Sequence, residues 1–316
     1  MIDQPCRDST LPSAVTLHES APGKLNLTLD VLGKRPDGYH DLEMVMISVS
    51  LADKLTIELE TGGDWTVTCD RPDIPVGPDN LCWKAARVYC DAAGVDPGGL
   101  RIKIQKNVPA QAGMAGGSSD AAAVLRALNR HYGRFSDEAL RALGLKVGSD
   151  VPYCLFGGVA LARSRGEDLT RLPNLPGELW FVLAKPEFSV STPALFREID
   201  ACRDGTLPSA DKQCMILHSD LPSARPDTAA MLLAIESRDR NAIGANLQNA
   251  FEPLVAARFP IVEELRQIML SHEALGARLT GTGSVVYGLF CSKFKALAAA
   301  FELRDLCSEV HIAESV

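Results

Sequence analysis

What the sequence lacks narrows its class first. No apolar run approaches the ~18 residues that span a bilayer; one of the longest, Val285 to Cys291, has seven residues. No transmembrane helix and no membrane partner are therefore expected. The nine cysteines form no Cys-x-x-Cys pair and no Cys/His cluster at zinc spacing, which argues for free thiols in a reducing compartment over a disulfide framework. No block of Lys and Arg occurs, and 32 basic against 40 acidic residues leave a net charge of −8. A nucleic-acid partner is not expected, because phosphate contacts along a strand need clustered cations. Gly 25 and Pro 19 together are 44 of 316 residues, well under the roughly 25–30% that marks low-complexity chains. Neither a Walker loop (Gly-x-x-x-x-Gly-Lys-Ser/Thr) nor a Gly-x-Gly-x-x-Gly dinucleotide turn is present. Residues 1–18 lack a basic flank and an apolar signal core, and read as a disordered leader on a cytoplasmic protein.

What is present is an ordinary globular composition, 46% hydrophobic, with length for two domains at about 150 residues each. Alternating residues predict strands over Leu25–Leu32, Met44–Leu51, Leu55–Leu59, Trp65–Cys69 and Leu100–Ile104. Helical spacing runs from Asn80 to Ala93, where Gly94 is a stop signal. Beyond Leu172-Pro-Asn-Leu-Pro-Gly177 come a strand at Leu179–Ala184, helical patterns at Ala229–Glu236, Ile243–Asn249 and Ile261–His272, a strand at Val285–Cys291 and a helix at Phe294–Leu303. Residues 204–228, rich in Ser, Pro and Asp, predict a loop or insertion. The order fits an α+β fold with a boundary near 165–177.

The strongest chemical signal is Val108-Pro109-Ala-Gln-Ala-Gly113-Met114-Ala115-Gly116-Gly117-Ser118-Ser119-Asp120, running into an Ala/Leu helix. Glycines let successive amides point one way, and a helix N-terminus adds positive potential, so the segment suits phosphate. A plain glycine turn with a good helix cap would carry the same residues. Pro22-Gly23-Lys24-Leu25-Asn26 places Lys24 and Asn26 on one strand face. Leu279-Thr280-Gly281-Thr282-Gly283-Ser284 is a second glycine turn ahead of a strand.

These three motifs, in this order, resemble those of the GHMP kinase superfamily. The segments Gly33-Lys34-Arg35-Pro36-Asp37-Gly38-Tyr39-His40 and Val147-Gly148-Ser149-Asp150-Val151-Pro152 are similar to one branch of it, over about residues 19 to 310. The resemblance implies a two-domain fold: a ribosomal-protein-S5-like α/β domain over 19–167 and a ferredoxin-like domain over 168–316. It implies transfer of the ATP γ-phosphoryl group, with Mg²⁺, to the 2-hydroxyl of a cytidine diphosphate-linked methylerythritol by a monomer or homodimer. Lys24 and Asp150 would be catalytic, the lysine stabilising phosphoryl charge and the aspartate taking or orienting the hydroxyl proton. Asn26, Tyr39, His40, Thr192, Phe196, Gly281 and Gly283 would contact the acceptor, Tyr39 and Phe196 sandwiching the base and His40 bonding it. Pro109, Gly113 to Ser119, Asn80 and Lys106 would hold ATP. Asn80 is equally a good N-cap, and Lys106 an ordinary strand end. No side chain is singled out as the metal ligand, Ser118 and Ser119 being candidates. Two departures stand out: Ala115 where the family has glycine, and Thr280 and Thr282 where serines are usual.

Overall fold

A computed structural model describes residues 14–60, 62–204 and 225–316. Two 21-residue strands, β1 (Ala14–Lys34) and β2 (His40–Glu60), form an antiparallel hairpin whose register runs from Ala14 opposite Glu60 to Lys34 opposite His40. The hairpin closes at Asp37-Gly38, with Gly38 at φ 84°, the left-handed conformation a tight turn assigns to glycine. Three register shifts interrupt the β1–β2 ladder, one of them between Pro22 and Lys24, where Gly23 is left without a partner.

β3 (Trp65–Cys69), β4 (Gly99–Gln105), β5 (Val159–Ser164) and β6 (Asp168–Arg171) complete the first sheet, with the short β8 (Gln248–Asn249) on its far edge. Helices α1 (Leu81–Ala93), α2 (Gly116–Tyr132), α3 (Asp137–Val147) and α4 (Val151–Phe156) lie with it. Ile57, Ile102 and Ile104 of the strands pack on Ala85 and Tyr89 of α1 and Val124 and Leu128 of α2. The second sheet, ordered β11 (Glu309–Glu314), β7 (Trp180–Lys185), β10 (Val286–Phe290), β9 (Gly276–Leu279), is antiparallel. The alternation of β7 decides the layering: Val182 and Ala184 face one core, with residues of α9 (Ile261–Ser271) and α10 (Lys293–Leu303), while Phe181 and Leu183 meet Leu25, Leu27 and Ile47 of the first sheet. α5 (Thr192–Asp204), α6 (Thr228–Glu236), α7 (Arg240–Ala245) and α8 (Glu252–Arg258) fill the connections.

Several expectations change. Residues 14–18, placed in the leader, are the first turns of the β1 ladder, since Val15 and Leu17 pack on a core; the rest of the leader lies outside the described residues. The two strands expected at 44–51 and 55–59 are one, because β2 passes from β5 to β4 as partner without a break. The division at 167/168 falls in the turn between paired β5 and β6, so the first sheet runs on to Arg171. The helical pattern at Ile243–Asn249 splits into the end of α7 and β8, whose residues pair with Thr28 and Leu29. Most of the 204–228 segment lies outside the described residues.

Candidate active site

A cavity of about 840 Å³ opens between the hairpin, the start of α2 and α5, and its walls include Lys24, Tyr39, His40, Asp150, Thr192 and Phe196. Four cationic side chains line it (Lys24, Lys34, Arg165 and Arg197) against two carboxylates, Asp150 and Asp200. A chain of net charge −8 thus concentrates positive potential where an anion would enter.

Its floor is built from the first and third motifs. Lys24 is buried, and its Nζ donates to Asn26 Oδ1 at 2.7 Å. The same Oδ1 accepts the Gly281 N–H at 3.1 Å, and the Asn26 N–H donates to Thr280 Oγ1 at 3.1 Å. Asn26 therefore lies beneath the cavity as the link between motifs. Thr280 in place of serine keeps that hydroxyl. Two glycine turns meet back to back: a Cβ on Gly113 would collide with the Thr280 carbonyl, and one on Gly281 would come within 2.8 Å of the Gly113 carbonyl oxygen. Both have positive φ, 77° and 56°, so close approach and backbone conformation each demand glycine. Asn249 fixes the third motif from behind, donating to the Leu279 and Gly281 carbonyls at 2.8 Å each.

The loop ahead of α2 ends in Ala115, at φ 57° and ψ 29° with no side-chain cap on the helix. The amides of Gly116, Gly117 and Ser118 begin the helix, and first-turn amides have no partner within a helix. Gly113, Ala115 and Ser118 border the cavity, Met114 is buried beneath it, and the Lys24 N–H donates to the Met114 carbonyl at 3.0 Å. Pro109 is buried behind the loop. Asp150 stands at the N-cap of α4 without capping it, leaving its carboxylate on the cavity wall beside Ser118 and Ser149.

The opposite wall is aromatic. The His40 ring stacks on Phe196, centroids 4.5 Å apart, and Phe196 meets Phe251 edge-on at 4.9 Å. His40 Nε2 donates to Asp200 Oδ1 at 2.8 Å, and Lys34 pairs with the same carboxylate at 3.2 Å. Burial works to raise the Asp200 pKa, but these two donors outweigh it and hold the carboxyl below its usual range. Tyr39 is half exposed, with the Arg165 guanidinium 3.7 Å over its ring. Thr192 shares a 2.8 Å hydrogen bond with Thr282, tying α5 to the third motif. The structure thus places Phe196 against His40 and Tyr39 against Arg165. Arg165, Lys34 and Asp200 were not singled out by sequence, though Thr192, Phe196 and Asp200 stand at i, i+4 and i+8 on α5 and so share a face.

Three polar residues expected at ATP have partners inside the fold. Lys106 is buried in an ion cluster with Asp53 and with Asp120 at 2.8 Å. Asp53 also accepts the Asn107 and Val108 N–H groups, at 2.6 and 2.7 Å. Burial pushes the Asp120 carboxyl up to about 7, against the pull of Lys106. Asn80 caps α1, accepting from Cys82 N–H at 2.8 Å while its Nδ2 donates to the Pro75 carbonyl at 2.7 Å. Ser119 is buried and donates to the Pro22 carbonyl at 2.7 Å, bracing the first motif against the second. None of the three is among the residues lining the cavity. In each case desolvation forces a buried polar group to find a partner inside the fold.

Comparison with known proteins agrees with the fold. The model of the GHMP kinases N terminal domain matches residues 80–158, and that of the GHMP kinases C terminal domain matches 231–309. The 4-diphosphocytidyl-2-C-methyl-D-erythritol kinase of Caldicellulosiruptor saccharolyticus is 39% identical over 291 residues, 92% of this chain and 93% of the relative. The crystal structure of a 4-(cytidine 5'-diphospho)-2C-methyl-D-erythritol kinase superposes with a TM-score of 0.70 at 33% identity, covering 95% of this chain and 99% of the other. A mevalonate kinase of L. major superposes equally well, with a TM-score of 0.71 over 96% and 97%, but at 20% identity it speaks for the fold alone.

Proposed function

We infer the reaction from the premise that this chain belongs to the GHMP kinase family and, within it, to the 4-diphosphocytidyl-2-C-methyl-D-erythritol kinases. It transfers the γ-phosphoryl group of ATP to the 2-hydroxyl of 4-diphosphocytidyl-2-C-methyl-D-erythritol. The observation that carries the assignment of roles is that one cavity is lined by a buried lysine, a carboxylate, the mouth of a glycine loop and an aromatic wall.

In our reading the acceptor hydroxyl lies against Asp150, which takes or orients its proton as the oxygen attacks the γ-phosphorus. The new O–P bond forms as the bond to the β-phosphate oxygen breaks, and ADP leaves. Lys24, held in place by Asn26, puts its ammonium beside the charge that develops on the transferring group. Amides of Gly116, Gly117 and Ser118, with the N-terminus of α2 behind them, bind the phosphates. Gly281 and Gly283 shape the floor beneath the acceptor. Tyr39 stacks on the cytosine, with Phe196 on the same wall. Because Asp200 holds His40 Nε2, Nδ1 is the ring nitrogen presented to the base.

Among the described residues no group of three or more His, Cys, Asp or Glu could hold a metal ion. The oxygens of Ser118 and Asp150 on the cavity wall fit the few hard ligands that Mg²⁺ takes from protein when phosphates supply the rest. When bound, Mg²⁺ neutralises β- and γ-phosphate charge.

A panel of acceptors tests the reading. ADP release should depend on the cytidine diphosphate-linked polyol and be absent with mevalonate or homoserine. Turnover on either of those without turnover on the cytidine compound would overturn it.

A further inference from the structure

The third motif is gripped from two sides, and the grip behind it comes from a buried side chain with no part in the reaction described above. Asn249 gives its amide hydrogens to the Leu279 and Gly281 carbonyls, at 2.8 Å each, and its Oδ1 accepts the Phe251 N–H at 2.9 Å. Both ends of that side-chain amide are thus directed at backbone. The two carbonyls bracket Thr280, and Glu252 Oε2 holds the same strand end by accepting the Leu279 N–H at 2.6 Å. β8, which carries Asn249, pairs with β1 at Thr28 and Leu29, just beyond Asn26. One short strand therefore ties the strand of Lys24 to the turn that faces it.

On the cavity side of that turn, Asn26 Oδ1 receives two donors at once, Lys24 Nζ at 2.7 Å and the Gly281 N–H at 3.1 Å. The second donor constrains the first. A flipped Asn26 amide would set its NH₂ group against both donors, so while the Gly281 N–H stays in place, Oδ1 faces the ammonium. Lys24 and Asn26 are both buried, so a lost bond there is poorly replaced by solvent. A displacement of Gly281 by about 1 Å breaks its bond to Asn26 and frees the amide to turn. We propose that Asn249 is a positioning residue for phosphoryl transfer: through Gly281 and Asn26 it fixes the place of the Lys24 ammonium. The inference rests on the catalytic reading of Lys24 given above. Asn249 is not among the residues lining the active-site cavity, whereas Lys24 and Gly281 are, so its influence passes through this chain of hydrogen bonds.

The experiment is steady-state kinetics on the full chain in a double-mutant cycle, with the thermal midpoint measured for every variant. Asn249→Ser removes both amide donors and should lower kcat by about ten- to a hundredfold, the scale of a small misplacement of a reacting group. KM for ATP and for the cytidine substrate should each move less than about threefold. In an Asn26→Ala background the same substitution should lower kcat by less than about threefold, because the chain to Lys24 is already cut. A residue that only supports the fold would lower kcat equally in both backgrounds, and that result would overturn the proposal. So would a near-native kcat for Asn249→Ser, or a rise in both KM values without loss of kcat. Asn249→Asp keeps the shape and the Phe251 contact but turns a carboxylate oxygen on the two carbonyls, and it takes the place of the serine variant in the cycle if that one does not fold. Loss of the fold in both would overturn the proposal too. Lys24→Met separates the two levels of inference. If that variant keeps a near-native kcat, the reading of Lys24 falls; if it loses kcat while Asn249→Ser keeps it, only the role of Asn249 falls.

Discussion

The phosphate side and the acceptor side of the cavity are built by different means. On the phosphate side the backbone does the work: Gly113 and Gly281 touch, Ala115 turns left-handed and α2 begins. The polar side chains nearby face inward, with Lys106 on Asp53 and Asp120, Ser119 on Pro22 and Asn80 on α1. On the side we assign to the acceptor, side chains reach the cavity itself, among them His40, Tyr39, Phe196 and Thr192. A pattern of glycines reports geometry directly, because few other residues can hold the conformation. A lone polar residue reports only that it needs a partner, which the fold supplies as readily as a ligand does.

The largest expected effect tests the chemistry where the two sides meet. Asp150→Asn should lower kcat by on the order of 10³-fold, within the range for a lost acid–base group. KM for ATP should stay near its wild-type value, because amides and not the carboxylate hold the phosphates. Steady-state kinetics with near-native kcat would remove Asp150 from the reaction.

Lys106→Met tests the inward-facing cluster. Removing the cation leaves Asp53 and Asp120 buried without their shared counter-ion, which costs about 3–5 kcal/mol. A large fall in thermal midpoint should therefore accompany any loss of ATP affinity. If the midpoint held while KM for ATP rose, Lys106 would be a nucleotide contact and the contrast between the two sides would fail.

Tyr39→Ala probes the other wall. The loss of ring contact with a base should raise KM for the cytidine substrate about tenfold and leave KM for ATP alone. The side chain is half exposed, so stability should hardly change. Equal rises in both constants would make Tyr39 a support for Arg165 in place of a base contact.

The sequence reads well wherever backbone conformation is at stake. The Asp37-Gly38 turn, the paired glycine turns and the start of α2 all stand where composition put them. The four-residue β6 and β9 carry too few residues for a period to emerge. Asp53 falls in the gap between the two strands expected at 44–51 and 55–59. Only the structure reveals that Lys106 and two amides compensate it inside a continuous strand. Arg165 and Asp200 belong to the site through contacts with residues more than a hundred positions away, Tyr39 and His40, which local patterns do not encode.

The smallest effect is the sharpest test of the phosphate side, because it changes one methyl group. Ala115 holds φ 57°, a conformation that costs a residue with a Cβ about 1 kcal/mol relative to glycine. Ala115→Gly removes that strain but gives the unfolded chain more freedom, so the two terms partly cancel. If conformation alone governs the position, the thermal midpoint should rise slightly or hold, and KM for ATP should move less than about threefold. A midpoint that instead falls by several degrees would mean that the methyl group packs against something the fold needs. The phosphate side would then depend on side chains as the acceptor side does, and the distinction between them would be one of degree.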